Sequence, residues 1–153
     1  MNAPLPGNLR FDIHGLAQAI SHCHASDALR CQFSVPQWDI LAAYMQPFSL
    51  ATDRTLYFIE SGTLSVHYED EKARVRMALV GPGSLLGEGA FFSHQPRSAT
   101  VQASGDCKLW CLTPMRFLEL SNRHSPIALE LTLAMGAVMA KRLYIRPKRV
   151  AVT

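Results

Sequence analysis

The stretch LGEGAFFSHQPRSATV, residues 86–101, decides how the rest of the chain is read. Gly87 and Gly89 flank Glu88, so the backbone there can approach a ligand without interference from a Cβ. Ala90 and the residues after it can open a short helix whose N–H groups face outward. Glu88 offers a carboxylate to a hydroxyl donor. Arg97 brings two parallel donors suited to phosphate oxygens, and Ser98 adds a hydroxyl and its own N–H just before a strand that begins at Ala99. A forked cation, an approachable backbone and a hydroxyl acceptor thus fall within twelve residues. A doubly esterified phosphate beside a free ribose hydroxyl requires that set.

Around this stretch the pattern is one of short β-type runs, at 56–60, 63–68, 75–80, 99–103 and 108–112. Ser61-Gly62 is expected to close a hairpin between the first two runs, and Gly81-Pro82-Gly83 to end the third. Many short strands with tight turns predict a mainly β fold with flanking helices, a sandwich or jelly roll.

Helical spacing frames these strands. Asp12 is placed to cap a helix over 12–24, with Ile13, Leu16, Ala17 and Ile20 on one face. A second helix is predicted over 36–45, with Pro36 in its first turn and Ile40, Leu41 and Tyr44 on one side. Pro114 opens a short helix through 120, and Ser125-Pro126 opens the longest one. Its Ile127, Leu131, Ala134, Met135, Val138 and Leu143 form a stripe wide enough for both a core contact and a partner helix. Pro147 is expected to stop it.

At 153 residues, 48% of them hydrophobic and 18% charged, the chain suits one packed domain. No uninterrupted apolar run approaches the roughly 20 residues of a membrane span; Glu130 and Thr132 break the longest candidate. The start MNAPLPGNLR lacks the pattern of a secretory signal, so a cytoplasmic protein is expected. In that compartment Cys23, Cys31, Cys107 and Cys111 read as reduced core residues, with Cys107 and Cys111 expected on one strand face. Of the net charge of +3, Lys141, Arg142, Arg146, Lys148 and Arg149 supply five positive charges near the C-terminus, leaving −2 for the remainder. They are read as a solvated helix end and a basic tail, with nucleic acid, an acidic partner or anionic lipid as the alternatives.

The segments LYFIESGTLSV (56–66), VGPGSLLGE (80–88), PRSATV (96–101) and MAKRL (139–143) together resemble the cyclic nucleotide-binding domain of the Crp/Fnr group of bacterial regulators, in order and near the family's spacing. The resemblance implies a double-stranded β-helix, an eight-stranded jelly roll followed by a long helix that forms a homodimer interface over 126–146. It partitions the chain into an N-terminal helical segment (1–46), a jelly-roll core (47–113) with the nucleotide cassette at 86–101, a hinge and C-terminal helices (114–146), and a basic tail (147–153). It implies that Gly87 and Glu88 hold the ribose while Arg97 and Ser98 hold the phosphate, with Gly89, Ala90 and Ala99 also in the ligand site. The Arg-Ser pair resembles that of members that bind cyclic AMP. The implied protein is a sensor without cofactor, metal or catalytic residue, whose long helix shifts about a hinge near 113–122 and signals to an unidentified protein partner.

Three departures qualify the resemblance. The hydroxyl pair that contacts adenine in relatives is absent after MAKRL, which leaves Arg146 as a candidate base contact and keeps cyclic GMP and cyclic di-GMP open. About a dozen residues, one short hairpin, are lacking between 46–51 and 53–58. Because losing a hairpin would bare sheet edges, a break in the chain between Leu50 and Arg54 is expected rather than a trimmed sheet. The chain also ends ten residues after Leu143, so no DNA-reading helix-turn-helix and no direct DNA binding are expected.

The rival readings come from other classes. A cupin-type metal enzyme needs clustered ligands, but the six histidines are scattered, and His22 and His24 would diverge by about 200° on a helix. No nucleophile elbow or phosphate loop is present. A domain that binds nothing and serves only to dimerise would not need Glu88, Arg97 and Ser98 together.

Overall fold

The computed structural model describes residues 12–47, 54–69, 72–95 and 99–150. Two helices open the described chain. In α1, Ile13–His22, the Asp12 side chain accepts a hydrogen bond from the His14 N–H at 3.0 Å. In α2, Val35–Tyr44, Ser34 and Gln37 form a reciprocal capping box, and Pro36 sits in the first turn. These caps satisfy N–H groups that no helical carbonyl can reach.

Seven described strands then build two antiparallel sheets. The first contains β1 (Gln46–Pro47), β7 (Lys108–Leu112), β2 (Leu56–Ser61) and β5 (Leu85–Leu86), in that spatial order. The second contains β4 (Val75–Val80), β3 (Leu64–Glu69) and β6 (Ala99–Ala103). The short helix α3, Glu88–Ser93, joins β5 to β6. The double-sheeted jelly roll with flanking helices is therefore as expected, and the span 48–53, where the chain break was expected, lies outside the described residues.

The Ser61-Gly62 turn does not make a hairpin. It carries the chain from β2 in one sheet to β3 in the other, and the hairpin is instead β3–β4, in register from Leu64↔Val80 to Glu69↔Val75. Two local features turn the chain out of its sheet. The β2–β7 register slips between Ile59 and Ser61, and Gly62 takes φ +90° where a Cβ would lie 2.5 Å from the Asp106 carbonyl and the Cys107 sulfur.

The core lies between the first sheet and the helices. Ile13, Leu16 and Ile20 of α1 meet Leu56, Phe58, Trp110 and Leu112 of the sheet. From α2 the core takes Trp38 and Leu41, with Met45 just beyond, whereas Ile40 and Tyr44 are only half-buried. The 38, 41, 45 spacing, rather than 40, 41, 44, is the one that faces the core. Cys111 is buried and Cys107, just before β7, is half-buried, and the described cysteines are all free thiols. Burial, reinforced by Glu130, pushes the Cys31 thiol up to about 12, so it stays protonated at neutral pH.

Two helices complete the chain: α4, Pro114–Arg123, capped by Thr113, and α5, Ser125–Val150. Ile127, Ala128, Leu131, Ala134, Met135 and Val138 of α5 are buried. Leu143, expected in that stripe, is 66% exposed. Five residues past Val138 it has turned about 140° away from the core face. It joins exposed Leu129, Leu133 and Tyr144 on the opposite face. The helix also passes Pro147 instead of stopping there. Proline removes one bond to the Leu143 carbonyl, but the upstream helix is already nucleated, so continuation is less costly than a fresh start.

Packing of this kind predicts a sharp contrast between two leucines. Leu131→Ala should lower stability by about 2–5 kcal/mol, whereas Leu118→Ala, at an exposed position of α4, should change it by about 0.5 kcal/mol or less. Urea unfolding followed by circular dichroism measures both.

Candidate ligand-binding site

The second sheet curves over a cavity of about 940 Å³. Leu64, Val66 and Tyr68 of β3, Ala78 and Val80 of β4, and Ala99, Val101 and Ala103 of β6 line one wall. These alternate positions point to one face of their strands. Tyr57, Leu86 and the start of α3 line the opposite wall, and Met139, Arg142 and Leu143 of α5 close one side. Largely apolar walls with a few converging polar groups are the usual makeup of a small-molecule site.

The cassette begins where β5 meets α3. Gly87 caps α3 with φ +87° and ψ 5°, and a Cβ there would come within 2.5 Å of the Thr55 carbonyl. Glycine is thus required by the close approach of Thr55, just before β2, and by the left-handed backbone. At Gly89 a Cβ would meet nothing within 4 Å, so the space beside the α3 N-terminus is open. Of the expected site residues, Gly87, Glu88, Gly89, Ala90 and Ala99 all reach the cavity. Arg97 and Ser98 lie outside the described residues, as does the side chain of Arg146.

Glu88 is not alone. Its Oε1 accepts a hydrogen bond from Nη1 of Arg142 at 2.5 Å. The same guanidinium donates through Nε to Asp27 Oδ2 at 2.9 Å and through Nη2 to the Leu85 carbonyl at 2.8 Å. All three side chains are largely buried, with 15–23% of each exposed. Burial alone would make the guanidinium easier to deprotonate; Glu88 and then Asp27 outweigh it and hold the group above its ordinary value. The cluster is therefore a fixed cation between two anions.

Arg142 was read from sequence as part of a solvated basic end, and the structure corrects that. On α5 it falls on the face of Met135 and Val138, seven and four positions further along the buried stripe. A cation continuing an apolar stripe is the signal that could have found it. Asp27, in the turn between α1 and α2, carries no such signal, since its relation to residue 142 exists only in three dimensions. Among the described residues no three metal-ligating side chains cluster, and both His22 and His24 are exposed. No helix among them is long and apolar enough to cross a membrane.

Comparison with known proteins bears on this geometry directly. Residues 51–124 match the family model of the cyclic nucleotide-binding domain. The chain is 33% identical over 94 residues to the cAMP-activated global transcriptional regulator Vfr of Pseudomonas aeruginosa, covering 58% of this chain and 42% of that protein. It is 44% identical over 50 residues to the cAMP-dependent protein kinase type II regulatory subunit of Drosophila melanogaster, covering 33% of this chain and 13% of that one. The chain thus spans less than half the length of these curated relatives. A solved cyclic nucleotide-binding domain from Methylobacillus flagellatus superposes with a TM-score of 0.75 at 19% identity, over 91% of this chain and 82% of that one. Residues 51–124 are thus similar in sequence to a cyclic nucleotide-binding domain, and the jelly roll with a glycine-flanked glutamate at its cavity has the fold of such a domain.

Proposed function

We propose that this chain is a regulatory sensor that binds cyclic AMP and passes the binding event to a protein partner through α5. The observation that carries the reading is the hydrogen bond between Arg142 of α5 and Glu88 of the cassette. Arg142 engages Oε1, which leaves Oε2 to accept from the ribose 2′-hydroxyl. Arg97 and Ser98 take the cyclic phosphate, whose single negative charge matches the forked cation. Ligand contact with Glu88 then bears on the residue that docks α5, so the nucleotide favours one placement of the helix over another.

Cyclic AMP is favoured because the two curated relatives carry cAMP in their names. Cyclic GMP and cyclic di-GMP are the alternatives, since the adenine-reading hydroxyl pair is lacking. The role is regulatory and not catalytic, in the cytoplasm, with no metal or cofactor. The exposed face of Leu129, Leu133, Leu143 and Tyr144 supports a homodimer through α5. A Cβ at Gly136, about halfway along it, would meet nothing within 4 Å, which leaves room for a partner backbone to approach.

Calorimetric titration with the three nucleotides in parallel is expected to rank cyclic AMP tightest, and no heat with any of them would overturn the reading. Arg97→Ala should weaken binding by about 100-fold, as expected for lost charge-assisted bonds, and unchanged affinity would remove Arg97 from the site. Hydrogen exchange along α5 should change on adding cyclic AMP, and change less in Arg142→Ala; an identical pattern with and without ligand would remove the coupling. Sedimentation should give a dimer that Leu133→Glu dissociates, and a monomeric wild type would dismiss the α5 interface.

A further inference from the structure

Asp27 lies 115 positions before its partner Arg142, in the turn between α1 and α2, and also lines the cavity. Its carboxylate is 22% exposed and accepts from Arg142 Nε at 2.9 Å. Two carboxylates, Asp27 and Glu88, thus share one guanidinium, and the second can serve a positional use.

The guanidinium geometry supplies such a use. The fork is planar, so two fixed contacts set the direction of the third donor. Asp27 at Nε and the Leu85 carbonyl at Nη2 are those two contacts, and Nη1 is then aimed at Glu88. Without Asp27 the long side chain regains rotamer freedom, and Glu88 loses the brace that selects its orientation.

We infer that Asp27 is a positioning residue for ribose recognition, holding Arg142 so that Arg142 presents Glu88 to the 2′-hydroxyl of the ligand. The inference rests on the reading that the cavity takes a cyclic nucleotide, and it makes the α1–α2 turn part of the nucleotide site. Through Asp27, the state of the site is also felt by the N-terminal helices.

The test compares cyclic AMP with its 2′-deoxy analogue by calorimetry on the full chain, as wild type and as Asp27→Ala, Asp27→Asn and Asp27→Glu. Asp27→Ala should weaken cyclic AMP binding by about tenfold and the deoxy analogue by less than about twofold, with Asp27→Glu restoring part of the difference. Should Asp27→Ala fail to fold by circular dichroism, the isosteric Asp27→Asn carries the same comparison with a smaller shift in the same direction. Equal losses for both ligands would mark Asp27 as a structural residue and overturn the inference, as would no loss for either. A wild type that binds both ligands equally well would remove the Glu88 contact and the inference with it. A wild type that binds neither overturns the nucleotide reading itself, which the other outcomes leave standing.

Discussion

A single guanidinium holds together segments from nearly the whole length of the chain. Arg142 lies on the buried face of α5, and removing its charge from water is costly unless anions meet it there. Glu88 and Asp27 meet it, and the Leu85 carbonyl takes a third N–H. Because these partners come from α3, from the α1–α2 turn and from β5, satisfying one cation sets the relative placement of four elements. The same contacts put the cassette glutamate in mechanical contact with the longest helix. Stability of the helix packing and, in the proposed function, responsiveness to a ligand therefore draw on one interaction.

The cavity beside this cluster owes its volume to what the strands present to it. Ala78, Ala99 and Ala103 face inward from the second sheet, where larger side chains would fill the space. The first sheet lines the opposite wall through Tyr57, Leu86 and Leu109, while Leu56, Phe58, Trp110 and Leu112 on its other face pack into the helices. One face of the first sheet thus builds the core, and its other face joins the second sheet in building the pocket. The division depends on the chain crossing between sheets at Gly62, since a hairpin there would have placed β2 and β3 side by side.

The helices show how closely packing discriminates between neighbouring positions. On α5 the buried residues from Ile127 to Val138 and the exposed Leu129, Leu133 and Leu143 are all apolar, and only rotation about the helix axis separates them. On α2, Trp38 and Leu41 enter the core while Ile40, one residue from Leu41, stays half-buried. On α5, two apolar faces serve two partners, the core and, in the proposed dimer, a second copy.

Much of the fold was legible in the residues alone. Strand runs at 56–60, 75–80, 99–103 and 108–112 correspond to β2, β4, β6 and β7, and Asp12 and Pro114 mark where helices start. Those features arise from local periodicity, capping and turn chemistry, which act over a few residues and leave their mark in sequence. The glycine-flanked Glu88 was legible for the same reason. Which sheet a strand joins was not, because Ser61-Gly62 suits a hairpin and a crossover equally well, and only contact with Asp106 and Cys107 selects the crossover. Nor was the Asp27–Arg142–Glu88 cluster, whose members are drawn together because a cation on a core-facing helix surface must find its anions wherever the fold brings them. Local chemistry in the sequence determined the elements and the cassette, and long-range packing and charge compensation in the tertiary structure decided how the cassette is tied to the helix.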